Sequence, residues 1–133
     1  MPRVSWALHH DRPSVEIALT LAAQGQQLGT RRLLADTGAG TENAPFQLLL
    51  AHSDCLACGG KPVGGVMLRR AYRGHHPLYL IRVQIPALGF DQDLPAVGIL
   101  APPSGFDGVA CFPFLNRFTY GNFGNAGEFG LEC

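Results

Sequence analysis

Residues 33 to 40 read Leu33-Leu34-Ala35-Asp36-Thr37-Gly38-Ala39-Gly40. The three apolar residues end a predicted strand from Gln27 to Ala35, and an unbroken apolar run is typical of a strand buried on both faces. A carboxylate follows directly, where a charge is costly unless it is paired or hydrogen-bonded. Asp36 is therefore a candidate functional residue. The alternative interpretation is a turn residue that bonds its own backbone.

The segments on both sides of this motif also predict strands. Ser14 to Leu21 alternate apolar with polar or small residues, and a turn at Gly25-Gln26 joins this strand to the next. Further strands are predicted at residues 46–50 (or a short helical turn there), 66–72, 78–85, 94–100 and 109–111. Residues 51–65 predict a loop, and one short helix is predicted from Pro113, with Phe114, Leu115 and Phe118 packing into the core.

Composition supports an all-β protein. The chain has 133 residues, so we expect one domain spanning 1–133. Hydrophobic residues make up 47% and charged residues 15%, which is enough for a packed core, while 17 Gly and 10 Pro interrupt helices and suit tight turns. Ten basic residues balance ten acidic ones, so no net positive field is available to bind nucleic acid.

Membrane insertion and export are not expected. The longest apolar runs, such as Ala96 to Pro103, are far shorter than the roughly 20 residues that cross a bilayer. Val4 to Leu8 is too short for the apolar region of a signal peptide. We therefore expect a cytoplasmic protein with reduced thiols.

A second motif lies about seventy residues after the first. Residues 105–118 read Gly-Phe-Asp-Gly-Val-Ala-Cys-Phe-Pro-Phe-Leu-Asn-Arg-Phe. Together with Asp36-Thr37-Gly38-Ala39, this segment resembles the paired motifs of retropepsin-like aspartic peptidases, over roughly Ser14 to Tyr120. The resemblance implies a closed β-barrel or sandwich with one short C-terminal helix, forming half of a symmetric dimer.

The resemblance also implies a reaction. Two nearby carboxylates share one proton because they cannot both ionise cheaply, so one activates a water and the other polarises the scissile carbonyl. The chain carries one such motif, so the second carboxylate would be Asp36 of a second copy. Thr37 and Gly38 would complete the catalytic motif, with a hydroxyl and an amide that hold the dyad. The implied function is a homodimeric aspartic endopeptidase acting on polypeptides without a cofactor.

The same family has a mobile hairpin, the flap, over its substrate. We expect the flap at residues 73–76, and Tyr72, Arg73, Gly74 and His75 are, with Ala39, the implied substrate-binding residues. The glycine-rich run Gly59 to Gly65 is the alternative flap. Residues 4–8 and 128–132 are implied candidates for a sheet between subunits.

Two departures from the family pattern bear on activity. Cys111 stands where the family has Gly and is expected to press toward the motif strand, and Gly40 precedes Thr41 where the family has a hydroxyl residue. A catalytically inactive peptide-binding or regulatory module is therefore an alternative function.

Cys55 and Cys58 form a C-x-x-C pair, which suits half of a zinc site, a redox pair or ordinary thiols. A small zinc-binding domain is a further alternative, although we expect no metal. His9-His10 and His75-His76 are expected to be solvated, and Asp107 to have a structural role in its turn.

Overall fold

The computed structural model describes residues 1–21 and 26–133, so Gly25 of the predicted turn lies outside the described residues. Within them the chain forms ten strands and two short α-helices. The strands are β1 (Arg3–Ala7), β2 (Ser14–Thr20), β3 (Gln27–Ala35), β4 (Leu48–Ala51), β5 (Gly64–Leu68), β6 (Gly74–Ile85), β7 (Phe90–Ile99), β8 (Gly108–Ala110), β9 (Thr119–Gly121) and β10 (Glu128–Glu132). The helices are α1 (His52–Ala57) and α2 (Phe112–Leu115).

Six strands close into a barrel in the order β2-β3-β8-β4-β7-β6, because β6 also pairs with β2 through Ala18 and Gln84. The pairs β3–β8 and β4–β7 are parallel, and the other pairs are antiparallel. Closure leaves no free edge within the barrel, and β5 lies outside it, paired only to β6 among the described strands. The predicted all-β closed barrel is confirmed.

The barrel interior is filled by aliphatic side chains and sealed by α2. Fully buried residues of the main core include Val15, Leu19, Leu33, Leu48, Leu50, Ile81, Val83, Leu94, Phe114 and Leu115. Burying each such side chain stabilises the fold by roughly 1.5–3 kcal/mol. Helix α2 is a single turn with Pro113 near its start, so it ends before Phe118, which the prediction placed in the helix.

A second buried cluster lies on the other face of the same central strands. It consists of Phe46, Leu49, Val97, Ile99, Val109 and Cys111. We call it the flap-side cluster because Leu68, Tyr72 and Leu78, from the hairpin that β5 and β6 form, pack against it. Leu49 faces this cluster while Leu48 and Leu50 face the main core. The central strands are thus buried on both faces, which explains their continuous apolar sequences.

The predicted loop at residues 51–65 is wrong in part, because it contains α1. Cys55 is fully buried, and Arg31 on β3 makes a two-pronged ion pair with Asp54 at 2.8 and 3.1 Å. Gly59 comes two residues after the last residue of α1, and its φ of 80° is the left-handed conformation that commonly follows a helix.

The predicted hairpin exists, but its turn lies earlier than expected. Residues 69–73 form the turn, while His75 and His76 pair with Met67 and Val66 inside the sheet. Pro77 is accommodated in the strand because the pairing of β6 with β7 begins only at Leu78.

The two terminal segments pair with each other within one chain. Strands β1 and β10 are antiparallel, with Arg3 opposite Glu132, and β9 completes a three-stranded sheet in the order β1-β10-β9. Leu131 attaches this sheet to the main core. In the part of the chain that the structure describes, no helix has the length and apolar character needed to span a membrane.

Candidate active site

Asp36 is fixed at the end of β3 by the parallel pairing of β3 with β8. Leu34 and Ala35 are opposite Val109 and Ala110, and the amide of Asp36 donates a hydrogen bond to the carbonyl of Ala110 at 3.0 Å. Asp36 is half-buried and directly follows β3, so the pairing of two strands fixes the position of its backbone. A functional side chain is held in a fixed geometry more precisely at the end of a paired strand than on a loop.

The turn after Asp36 holds the carboxylate from the other side. The amide of Gly38 donates to Oδ1 of Asp36 at 2.9 Å, and the amide of Ala39 donates to the Asp36 carbonyl at 3.1 Å. A Cβ on Gly38 would lie 3.3 Å from the same Oδ1. Glycine thus lets the backbone approach the carboxylate closely. Thr37 is exposed, and its hydroxyl makes no side-chain hydrogen bond with the described residues.

A cavity of about 620 Å³ opens in front of Asp36. Its floor comes from the motif turn and the flap-side cluster, and its cover comes from the hairpin turn. The lining residues are Asp36, Gly38, Ala39, Gly40, Thr41, Phe46, Leu49, Leu68, Arg69, Arg70, Ala71, Tyr72 and Val109. Asp36 is the one carboxylate among them, and the volume is in the range of small-molecule and peptide side-chain sites.

The cover is the flap hairpin, which we define as residues 64–78. Nε2 of His76 lies 2.6 Å from the carbonyl oxygen of Tyr72, so this nitrogen donates the hydrogen bond that braces the turn. Burial raises the pKa of the half-buried Tyr72 hydroxyl. The alternative flap, Gly59 to Gly65, lies at the base of this hairpin, where Gly64 is opposite Leu78.

The structure brings together part of the predicted site. Asp36, Gly38, Ala39 and Tyr72 line the cavity, whereas Thr37, Arg73, Gly74 and His75 are not among its described lining residues. Leu68, Arg69, Arg70 and Ala71 were missed because the turn lies several residues earlier than the sequence predicted. The local signal at this turn is the change from apolar to charged residues after Leu68, and it is weaker than the turn-type residues Gly74 and Pro77 further along the chain.

Cys111 is fully buried in the flap-side cluster, and its Sγ lies 3.9 Å from the carbonyl oxygen of Val109. Burial and the nearby negative charge of Asp36 raise its pKa to about 12. The thiol is therefore neutral at ordinary pH. The backbone amide of Cys111 donates a hydrogen bond to the Gln47 carbonyl, and this bond joins the start of α2 to the segment before β4.

Cys55 and Cys58 are buried free thiols at the end of α1. Burial is the main cause that raises the pKa of Cys55 to about 12, and it also raises the pKa of Cys58. Both thiols are therefore protonated near neutral pH, and a protonated thiol is a weak nucleophile. Within the described residues, no group of three or more His, Cys, Asp or Glu side chains is placed to hold a metal ion.

Asp107 and His9 belong to a separate polar network on the outer surface. Oδ2 of Asp107 accepts from the amide of Arg32 at 2.8 Å, which gives Asp107 a structural role at the start of β8. His9 lies between the Arg32 guanidinium and the Gly105 carbonyl, both at 2.8 Å. These residues do not line the cavity in front of Asp36.

The chain is similar to a solved structure, a retropepsin-like aspartic protease from Rickettsia conorii. The two are 14% identical, with a TM-score of 0.61 over 97% of this chain and 89% of that chain. The chain has a retropepsin-like fold. No protein-family model and no curated protein sequence matches it.

Proposed function

We propose that the protein is a homodimeric aspartic endopeptidase, with residues 1–133 as one peptidase domain. The observation that carries the proposal is Asp36 itself. In a retropepsin-like fold it leaves a buried strand, accepts a hydrogen bond from Gly38 and faces a cavity of about 620 Å³ beneath a hairpin. That arrangement provides a fixed acid, a place for a substrate and a hairpin that covers part of it.

One chain supplies half of the required chemistry. Asp36 is the one carboxylate among the described residues that line the cavity. A twofold axis beside Asp36 would bring a second copy of it into the same cleft, and two adjacent carboxylates would then share one proton. The dyad would titrate with two apparent pKa values that belong to the pair.

In the proposed reaction, the ionised Asp36 takes a proton from a water, whose oxygen attacks the scissile carbonyl carbon. The protonated Asp36 of the other subunit gives its proton to the carbonyl oxygen, so a neutral tetrahedral diol forms. The diol then returns one proton to the Asp36 of the other subunit, which is now ionised. The Asp36 that took the proton from water gives it to the leaving nitrogen, and the C–N bond breaks. The dyad ends the cycle with one proton, as it began.

The other site residues have supporting roles in this proposal. Gly38 holds the Asp36 carboxylate through its amide, and the exposed hydroxyl of Thr37 is available for a bond across the dimer axis. Ala39 and Tyr72 contact the substrate from below and above. Arg73, Gly74 and His75 would contact it where an extended peptide leaves the cavity along β6.

The terminal sheet is the proposed link between subunits. Strands β1 and β9 are its outer strands, and an outer strand offers unpaired backbone groups to a second chain. A cytoplasmic location is also part of the proposal. It is supported by four free thiols, of which Cys55, Cys58 and Cys111 are buried.

The test is peptide hydrolysis at mildly acidic pH. We expect the wild-type protein to cleave members of a diverse peptide library, a statine-type transition-state analogue to inhibit it, and Asp36→Asn to abolish cleavage. Asp11→Asn is the matched control, because Asp11 is exposed and adopts a left-handed φ of 59° that Asn also tolerates. If a folded wild-type dimer binds peptides but cleaves none, the protein is a peptide-binding module and not an enzyme.

A further inference from the structure

Two arginines at the turn of the flap hairpin face the cavity without an acidic partner. Arg69 and Arg70 line the space in front of Asp36, and both are exposed. Four other arginines bind acidic side chains, namely Arg3, Arg31, Arg32 and Arg82. Among the described residues, no carboxylate lies within ion-pair distance of Arg69 or Arg70. Their guanidinium groups are therefore free to bind a ligand.

Basic residues outnumber acidic residues around the cavity. Residues 69–76 read Arg-Arg-Ala-Tyr-Arg-Gly-His-His, which contains three arginines and no acid. Asp36 is the one acidic residue among the described lining residues. In a dimer the two Asp36 side chains would share a proton and carry a single negative charge, against four guanidinium groups from two flaps. The cleft would attract negative charge.

The backbone at Arg70 supports a functional use of its side chain. Its φ is 63°, in the left-handed region that glycine occupies at little cost and that a long side chain occupies at a penalty. The neighbouring His76–Tyr72 hydrogen bond holds the turn in place. Strain of this kind is maintained where the surrounding structure fixes it, often at a ligand site.

We propose that Arg69 and Arg70 give the enzyme a preference for polypeptides with Asp or Glu close to the scissile bond. This inference rests on the proposed peptidase function and assigns its substrate class. Each guanidinium can bind a carboxylate with two parallel hydrogen bonds, and the flap brings both groups down onto the bound peptide.

The experiment compares two peptides that differ only in Glu or Gln at the positions flanking the cleaved bond. It is run near pH 6, above the usual Glu pKa of about 4.3, so that Glu is ionised. For the wild-type protein we expect kcat/KM to be about three- to tenfold higher for the Glu peptide at low salt, with the ratio falling toward one in concentrated salt.

Variants separate charge from structure. Arg69→Gln with Arg70→Gln is expected to remove the preference, whereas Arg69→Lys with Arg70→Lys keeps most of it. Arg12→Gln with Arg82→Gln is the matched control: it also removes two positive charges, but from exposed residues outside the cavity, and the preference should persist. Uncleavable statine versions of both peptides measure binding to the same variants by fluorescence anisotropy.

The outcomes distinguish the two proposals. Equal cleavage of the Glu and Gln peptides by the wild-type protein, or a preference that survives the double Gln variant, overturns the role of the arginines and leaves the peptidase function standing. If neither peptide nor any library peptide is cleaved, the peptidase function fails. Tighter wild-type binding of the uncleavable Glu peptide, lost in the double Gln variant, would then still support acidic recognition by the flap.

Discussion

Cys111 places a thiol near Asp36, one residue after β8. The side chain is fully buried in the flap-side cluster, and burial together with the charge of Asp36 raises its pKa to about 12. A neutral thiol brings no charge to the proposed dyad at the pH where an aspartic peptidase would work. The presence of Cys111 where the family has Gly therefore affects side-chain packing more than the charge near Asp36.

Replacement of Cys111 by Ala tests this view. We expect Cys111→Ala to lower the free energy of unfolding by about 1–2 kcal/mol, because a small cavity replaces the sulfur, and to leave kcat/KM within about twofold. Urea denaturation and peptide cleavage on the same preparation measure both. A rise in kcat/KM of about tenfold would show that the thiol restrains the dyad.

Gly108 permits the close approach of β8 to β4 that positions Asp36. A Cβ there would collide with the carbonyl oxygen of Leu49 and would lie 3.0 Å from Leu33 Cδ2. We expect Gly108→Ala to lower the free energy of unfolding by at least about 2 kcal/mol. Gly64→Ala is the control, since its nearest new neighbour would be Leu78 Cδ2 at 4.0 Å. Equal chemical denaturation midpoints for the two variants would refute this account of Gly108.

At the level of elements, the hydrogen bond from His76 to the Tyr72 carbonyl braces the flap hairpin. We expect His76→Ala to speed hydrogen exchange at amides 69–73 by about threefold to tenfold, which corresponds to the loss of one hydrogen bond. His75→Ala is the matched comparison, because His75 is exposed and makes no side-chain hydrogen bond with the described residues. If both variants exchange alike, His76 does not hold the turn.

The strands near the motif could be predicted because their sequence patterns are local. The predicted bounds of Gln27 to Ala35 agree with β3, and continuous apolar runs indicated burial on both faces. The turn of the flap hairpin could not be placed, because Gly74 and Pro77 are turn-type residues that here lie inside β6. Pairing with β5, a tertiary contact, overrode their local preference.

Helix α1 was missed for a related reason. Its six residues carry no side-chain cap at the N-terminus, and its stability comes from Cys55 burial and the Arg31–Asp54 ion pair with β3. Both contacts join segments distant in sequence. Gly59 was the one local signal, as a residue that ends a helix in the left-handed conformation.

At the scale of the whole molecule, buried thiols predict a loss of stability in alkali. The pKa values of Cys55 and Cys111 are both raised to about 12 from an ordinary value of 9.0. Between these values the unfolded chain binds fewer protons than the folded chain, so the free energy of unfolding falls as pH rises. We expect a decrease of about 1.4 kcal/mol per pH unit for each thiol, beginning near pH 9.

Urea denaturation at several pH values from 8 to 11 measures this slope. The double variant Cys55→Ala with Cys111→Ala, compared with the wild-type protein, should show a shallower decline although it starts less stable. A wild-type stability that does not change over this interval would mean that neither thiol is held protonated by the fold.

The sequence predicts one part of the cavity lining and misses another. Asp36, Gly38 and Ala39 could be named because they are contiguous in a recognisable motif. Arg69 and Arg70 reach the same cavity through the closure of the barrel and the fold of the flap hairpin, which no local pattern encodes. Contacts with a second subunit are harder still to predict, because they leave no periodic pattern in the sequence of one chain.

Subunit mixing shows whether two copies of Asp36 act together in one active site. Wild-type and Asp36→Asn chains are refolded together at fixed total concentration, and peptide cleavage is measured against the wild-type fraction. A shared dyad predicts a quadratic dependence, with about one quarter of full activity in an equal mixture. A linear dependence, with about one half of full activity in an equal mixture, would show that each chain acts alone and that no dyad is shared between subunits.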